Sequence, residues 1–133
     1  MGSKNKKLLG IITSIILHNL RNAFESKELY ITKRKLFLIE EKHPIEFTYI
    51  KTNQFQNILD GTIAKCNYSK DSEVLNFISY IDEKYVLYEI ANNSYYIHLT
   101  TLFYPSKKQL KNCFESMKFF NEKFEKDLEE YLN

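Results

Sequence analysis

Glycine is nearly absent from this 133-residue chain. Only Gly2, Gly10 and Gly61 occur, far apart. A phosphate-cradling loop needs clustered glycines, because bare backbone must approach the phosphate. Nucleoside-triphosphate hydrolysis and a dinucleotide fold are therefore excluded. Cysteine is limited to Cys66 and Cys113, with no CxxC or CxxH spacing. Neither a disulfide framework nor a structural zinc site is encoded. His18, His43 and His98 form no HxxxH or HxH pair, so no metal site and no cofactor are expected. Arginine occurs only at positions 21 and 34, although it is the side chain best suited to bidentate phosphate recognition. A clustered basic stripe is also missing. Nineteen basic residues against 17 acidic ones leave a net charge of +2, too balanced for a dedicated nucleic-acid binder.

Apolar residues are plentiful. They make up 44% of the chain, and aromatic residues 15%, enough for one core. A single domain over 1–133 is expected, with 1–5 flexible. Charge is uneven: residues 1–53 are net positive and residues 54–104 net negative. Lys4, Lys6 and Lys7 precede an apolar run from Leu8 to Leu17, which has the shape of a signal peptide. No small-x-small cleavage site follows, and the run is too short to span a bilayer. The start Met1-Gly2-Ser3 resembles a myristoylation site, but Lys6 stands where that motif wants Ser or Thr. The expected location is cytoplasmic. Membrane contact through Lys4, Lys6, Lys7 and the first helix is a third-ranked reading.

The hydrophobic pattern predicts an α+β fold. Leu9, Ile12, Ile16, Leu20, Ala23 and Phe24 recur at helical spacing, which predicts a helix over 6–26. Strands are expected at Leu29–Thr32 and Lys35–Glu40. A turn at Lys42-His43-Pro44 and an alternating strand over Ile45–Lys51 complete a hairpin. Asn53 is expected to cap a helix carrying Phe55, Ile58 and Leu59 on one face, with Asp60-Gly61 as its stop. Three tyrosine- and isoleucine-rich strands follow, at Val74–Ile81, Tyr85–Ala91 and Tyr95–Tyr104. Short polar joints make them an antiparallel meander. Ser106 then caps a long helix over 107–132. The expected architecture is a single antiparallel sheet of about five strands with flanking helices, in the order α-β-β-α-β-β-β-α.

Two constellations carry functional expectations. His98 shares a strand face with Tyr96, and a tight turn at Asn92-Asn93 would set Glu89 beside it. A His, a carboxylate and a tyrosine on an antiparallel sheet form the working group of a small metal-independent ribonuclease or toxin-like protein. The tyrosines could also stack single-stranded bases, but residues 74–104 hold one lysine against Asp82, Glu83 and Glu89. Tyrosine equally suits a protein interface. The second constellation is the last helix, where Leu110, Phe114, Met117, Asn121, Phe124, Leu128 and Tyr131 recur at 3.5-residue spacing. An apolar seam broken by one Asn is how coiled coils fix register. Met117, Asn121, Phe124 and Leu128 are the expected partner contacts.

The helix around Phe55–Leu59, the meander over 74–104 and the helix after Pro105 together resemble the roadblock/longin-type and profilin-like group of small scaffold domains. The likeness rests on element order. It implies a non-enzymatic protein that dimerises through a shared sheet or helix and serves small GTPases or membrane-trafficking machinery. Type III secretion chaperones have a similar order but tend to be acidic. The leading expectation is thus a non-catalytic interaction or regulatory module, acting as a homodimer, a heterodimer or a subunit of a larger complex. The alternative is the ribonuclease built on His98, Glu89 and Tyr96.

Overall fold

The structure, a computed structural model, describes residues 5–18, 27–69, 73–92 and 96–133. Its centre is the meander that alternation predicts: β4 (Val74–Ile81), β5 (Lys84–Asn92) and β6 (Ile97–Phe103), all antiparallel. Strand β3 (Thr62–Cys66) extends this sheet beside β4, and β7 (Lys118–Phe119) closes that edge. On the other side, β2 (Glu28–Thr32) lies parallel to β6, and β1 (Lys6–Ile11) pairs antiparallel with β2. The result is a seven-stranded mixed sheet in the order β1-β2-β6-β5-β4-β3-β7. A single antiparallel sheet of about five strands is therefore not what forms, and the expected element order is also overturned.

Each departure has a local cause. Residues 6–11 are a strand and not the start of a helix; α1 spans only Ser14–His18, and the rest of the expected helix, 19–26, lies outside the described residues. The register of β1 slips between Leu8 and Gly10, so Leu9 is an extra residue in a β-bulge. The bulge returns Leu8 and Ile11 to one face, which imitates helical spacing. The expected strand at Lys35–Glu40 is α2 (Lys33–Lys42), begun by the Thr32 hydroxyl accepting from the Lys35 N–H at 3.3 Å. Its Leu36 and Ile39 turn inward at helical spacing. Ile45–Lys51 is a turn followed by α3 (Thr48–Lys51), with Phe47 and Ile50 buried and Ile45 exposed. Asn53 adopts φ 59° between α3 and α4 (Phe55–Asp60), and Gln54 takes the cap position expected of Asn53.

The long C-terminal helix is interrupted. Helix α5 (Lys107–Cys113) starts at Ser106, whose side chain and that of Gln109 cap each other's backbone N–H groups. A 3₁₀ turn at Phe114–Ser116 and an extended Met117 then lead into β7, and α6 (Glu122–Leu132) follows. Phe119 packs against one side of the sheet and Phe120 against the other. That is strand alternation inside a stretch whose wider pattern is helical.

The two sides of the sheet carry two cores. On the first, Phe77, Val86, Tyr88 and Leu102 meet Ile39, Ile50, Phe55 and Ile58 from α2, α3 and α4. Tyr88 is fully buried, stacks on Phe77 at 5.5 Å, and shares a 2.7 Å hydrogen bond with Thr62. On the second, Ile63, Ile78 and Leu87 meet Leu110, Leu128 and Leu132 from α5 and α6. Each fully buried side chain of this kind contributes about 1.5–3 kcal/mol.

Gly61 joins α4 to β3 where there is no room for a side chain. Its carbonyl accepts from the Tyr80 N–H at 2.9 Å, and a Cβ there would stand 2.8 Å from the Tyr80 carbonyl oxygen. Both contacts are backbone and cannot swing away. Gly61→Ala is expected to lower the unfolding free energy by about 1–3 kcal/mol, read from the urea midpoint. A variant as stable as the wild type would contradict this close approach.

Candidate functional site

Among the described residues, the second side of the sheet is only partly roofed. Helices α5 and α6 pack on β3, β4 and β5, and no buried residue of that core comes from β1 or β2. The remaining half lies over β1, β2 and β6. Cross-strand pairing sets its residues: Leu8 faces Tyr30, Ile11 faces Glu28, and Tyr30 lies beside His98. Leu8 and Ile11 are 48% and 46% exposed.

Polar groups on this half-face are drawn together by the pairing of β1 with β2 and of β2 with β6. The Lys6 ammonium sits 4.2 Å from the ring centres of both Tyr30 and Tyr96, which meet edge to face at 5.9 Å. A cation between two aromatic faces is held by their quadrupoles. The Tyr30 hydroxyl donates to Glu28 at 2.6 Å, and that hydrogen bond, with burial and the Glu28 charge, raises the phenol's pKa. His98 lies 5.6 Å from the Tyr96 ring. Burial first, and then the charge of Lys35, lower the imidazole's pKa below its ordinary 6.5. Its Nδ1 is buried with no hydrogen-bond partner.

Of the expected catalytic group, His98 and Tyr96 are neighbours, but Glu89 works elsewhere. His98 stands opposite Ala91, while Glu89 stands opposite Thr101 and Asn76. Thr100 is the extra residue at the β5–β6 register slip, and its hydroxyl donates to the Glu89 carboxylate at 2.8 Å. The Asn76 amide donates to the other carboxylate oxygen at 2.9 Å in the orientation that also lets it accept from the Ser69 N–H. The carboxylate is thus engaged by Thr100 and Asn76 and is out of cross-strand register with the imidazole. Lys6, Glu28, Tyr30 and Lys35 join the site only through the β2–β6 pairing, for which the sequence carries no local signal.

The expected partner seam does not share one helix. Leu128 is fully buried in the second core, and Met117 and Phe124 pack half-buried against it. Asn121 is the N-cap of α6, accepting from the Lys123 N–H at 2.9 Å. Lys4 lies outside the described residues, while Lys7 donates to the Ile50 carbonyl at 3.2 Å. Among the described residues no helix is long and apolar enough to cross a membrane, and no three His, Cys, Asp or Glu side chains are grouped to hold a metal ion. Cys66 and Cys113 are both buried, and the hydrogen bond to Cys113 together with burial pushes the Cys66 thiol up. A thiol in that state is a poor nucleophile.

No family model, curated protein or solved structure matches the chain.

The lowered pKa of His98 has a consequence for stability. The unfolded chain takes up a proton near the ordinary value, while the folded one resists it. The stabilising contribution is full above 6.5 and is lost as pH falls through the folded value. Between about pH 7 and about pH 5, urea unfolding should therefore weaken more in the wild type than in His98→Gln. An equal loss in both proteins would contradict a half-buried imidazole that resists protonation.

Proposed function

We propose that the chain is a non-catalytic protein-interaction module that assembles as a dimer through the unroofed half of its sheet. The observation behind this reading is the pairing state of that surface. Leu8 and Ile11 stand out into solvent, while most of the polar side chains around them, the His98 Nδ1 excepted, already have partners. Lys6 is held by two rings, Tyr30 by Glu28, and Glu89 by Thr100. Polar groups satisfied within the chain lose little when a partner removes their water, and exposed aliphatic side chains gain. The patch carries both a cation, Lys6, and an anion, Glu28, which suits the self-complementarity that a twofold contact demands. A second copy of the chain is therefore the partner that this reading names.

The test is solution mass by light scattering over a range of concentrations. The wild type should form a dimer. Changing Leu8→Lys and Ile11→Lys together should raise the dissociation constant at least about tenfold, with the circular dichroism spectrum unchanged. A wild-type monomer at every concentration, or a dimer indifferent to both changes, would contradict the reading.

A second reading, the metal-independent ribonuclease, has one observation in its favour. The unpartnered Nδ1 of His98 lies beside Tyr96 and within reach of the Lys35 charge. An unpaired buried nitrogen is expensive to keep, and a neutral imidazole is a competent base. Glu89 plays no part in this version. Cleavage of RNA in the presence of a chelator, abolished by His98→Ala, would support it. Intact RNA after prolonged incubation with varied substrates would remove it.

A further inference from the structure

A trough of about 600 Å³ lies between α6 and the turn that joins β4 to β5. Its floor is a ladder of tyrosines. Tyr80 and Tyr85 have ring centres 4.8 Å apart, and Tyr85 and Tyr131 have theirs 5.0 Å apart. Tyr80 and Tyr131 are each 45% exposed. The walls carry three carboxylates, Glu83, Asp127 and Glu130, against one ammonium, Lys123. The trough adjoins a smaller depression of about 290 Å³ that shares Glu83, Tyr85 and Tyr131.

Aromatic faces beside carboxylates favour an organic cation. The ring quadrupole and the carboxylate charge both attract it, and each disfavours an anion. Burial pushes the Tyr85 hydroxyl up to about 12, and Tyr80, Asp127 and Tyr131 add to the rise. The chain's own cations already use these rings from the rim. The Lys107 ammonium lies 4.7 Å over Tyr131, and that of Lys84 lies 5.0 Å over Tyr104 in the adjoining depression. The shape separates two kinds of cationic ligand. A small amine is best held by an enclosing cage, whereas this trough is open and adjoins a second depression, which suits an extended chain.

The turn at its mouth adds a further mark. Asp82 and Glu83 alone separate the paired residues Ile81 and Lys84, and both have positive φ, 53° and 60°. Such a turn favours Asn-Gly. Asp82 has a structural reason to be there, because its carboxylate accepts from the Tyr49 hydroxyl at 2.6 Å. Glu83 sits in a conformation that glycine would adopt more easily, and it lines both depressions.

We infer that this trough docks a basic peptide segment of a partner protein, taking a lysine or arginine side chain against Tyr80, Tyr85 and Tyr131, with Glu83, Asp127 and Glu130 as counter-charges. The surface is separate from the unroofed half of the sheet.

The test is fluorescence anisotropy with a labelled peptide of alternating arginine and glycine, and a glutamate–glycine peptide of equal length as control. The folded protein should bind the basic peptide and not the acidic one, less tightly as salt rises. Asp127→Asn and Tyr131→Ala should each weaken binding about three- to thirtyfold. Glu83→Gly should weaken it too, while its thermal midpoint rises, which a merely structural role for Glu83 would not produce. Three results would overturn the inference: no binding of the basic peptide, wild-type affinity in all three variants, or complete displacement by tetramethylammonium at equal cation concentration. The last would make this a small-cation site. The dimer is read by mass and this site by anisotropy, so either can fail alone.

Discussion

The parallel pairing of β2 with β6 is the contact on which the rest of the molecule depends. It consists of two residue pairs, Leu29 with Ile97 and Tyr30 with His98. Without it, β1 and β2 would be a two-stranded ribbon, marginal in water on its own, tied to the rest through the helices, by contacts such as Ile11 with Gln56 and Lys7 with Ile50. With it, the sheet reaches seven strands, and the first core extends from Ile16 and Leu29 to Phe77 and Phe55. A parallel neighbour requires a long crossover. Here the crossover includes α2, α3 and α4, the helices that cover the first side.

The same topology leaves the second side half finished. After β6 the chain must reach the far edge of the sheet, where β7 pairs with β3. Helices α5 and α6 flank β7 in sequence and so lie over β3, β4 and β5. Among the described residues nothing equivalent roofs β1 and β2. The interaction surface proposed above is thus a consequence of where the last strand goes. The His98 Nδ1 apart, its polar groups are spent on each other, and the Glu89 carboxylate is engaged by Thr100. The arrangement suits binding better than proton transfer.

Strong local signals were legible in the sequence and the long-range ones were not. The meander from Val74 to Phe103 shows in its alternation and its polar joints. The Ser106 cap and the Phe55–Ile58–Leu59 face show in their residue types and spacing. The strand β1 was hidden because a bulge at Leu9 reproduces a helical interval. The helix α2 was hidden because its signal is a single cap at Thr32 before a basic stretch. The C-terminal break was hidden because Met117, Asn121, Phe124 and Leu128 keep a heptad rhythm across it, although Asn121 is a cap and Leu128 is core. In the candidate site, His98 and Tyr96 were legible as neighbours two residues apart, although β6 begins only at Ile97. Glu89 was misplaced by the register slip at Thr100. Lys6 and Tyr30 arrive only through pairings between residues distant in sequence.

The most direct measurement is hydroxyl-radical footprinting of the protein at low and at high concentration. Side-chain oxidation of Leu8, Ile11 and Tyr30 should fall as concentration rises, while that of Phe37 and Ile45, exposed on other elements, stays constant. Oxidation of Leu8 and Ile11 at the same rate at both concentrations, in a protein shown by mass to have dimerised, would place the contact elsewhere and contradict the unroofed sheet as the interaction surface.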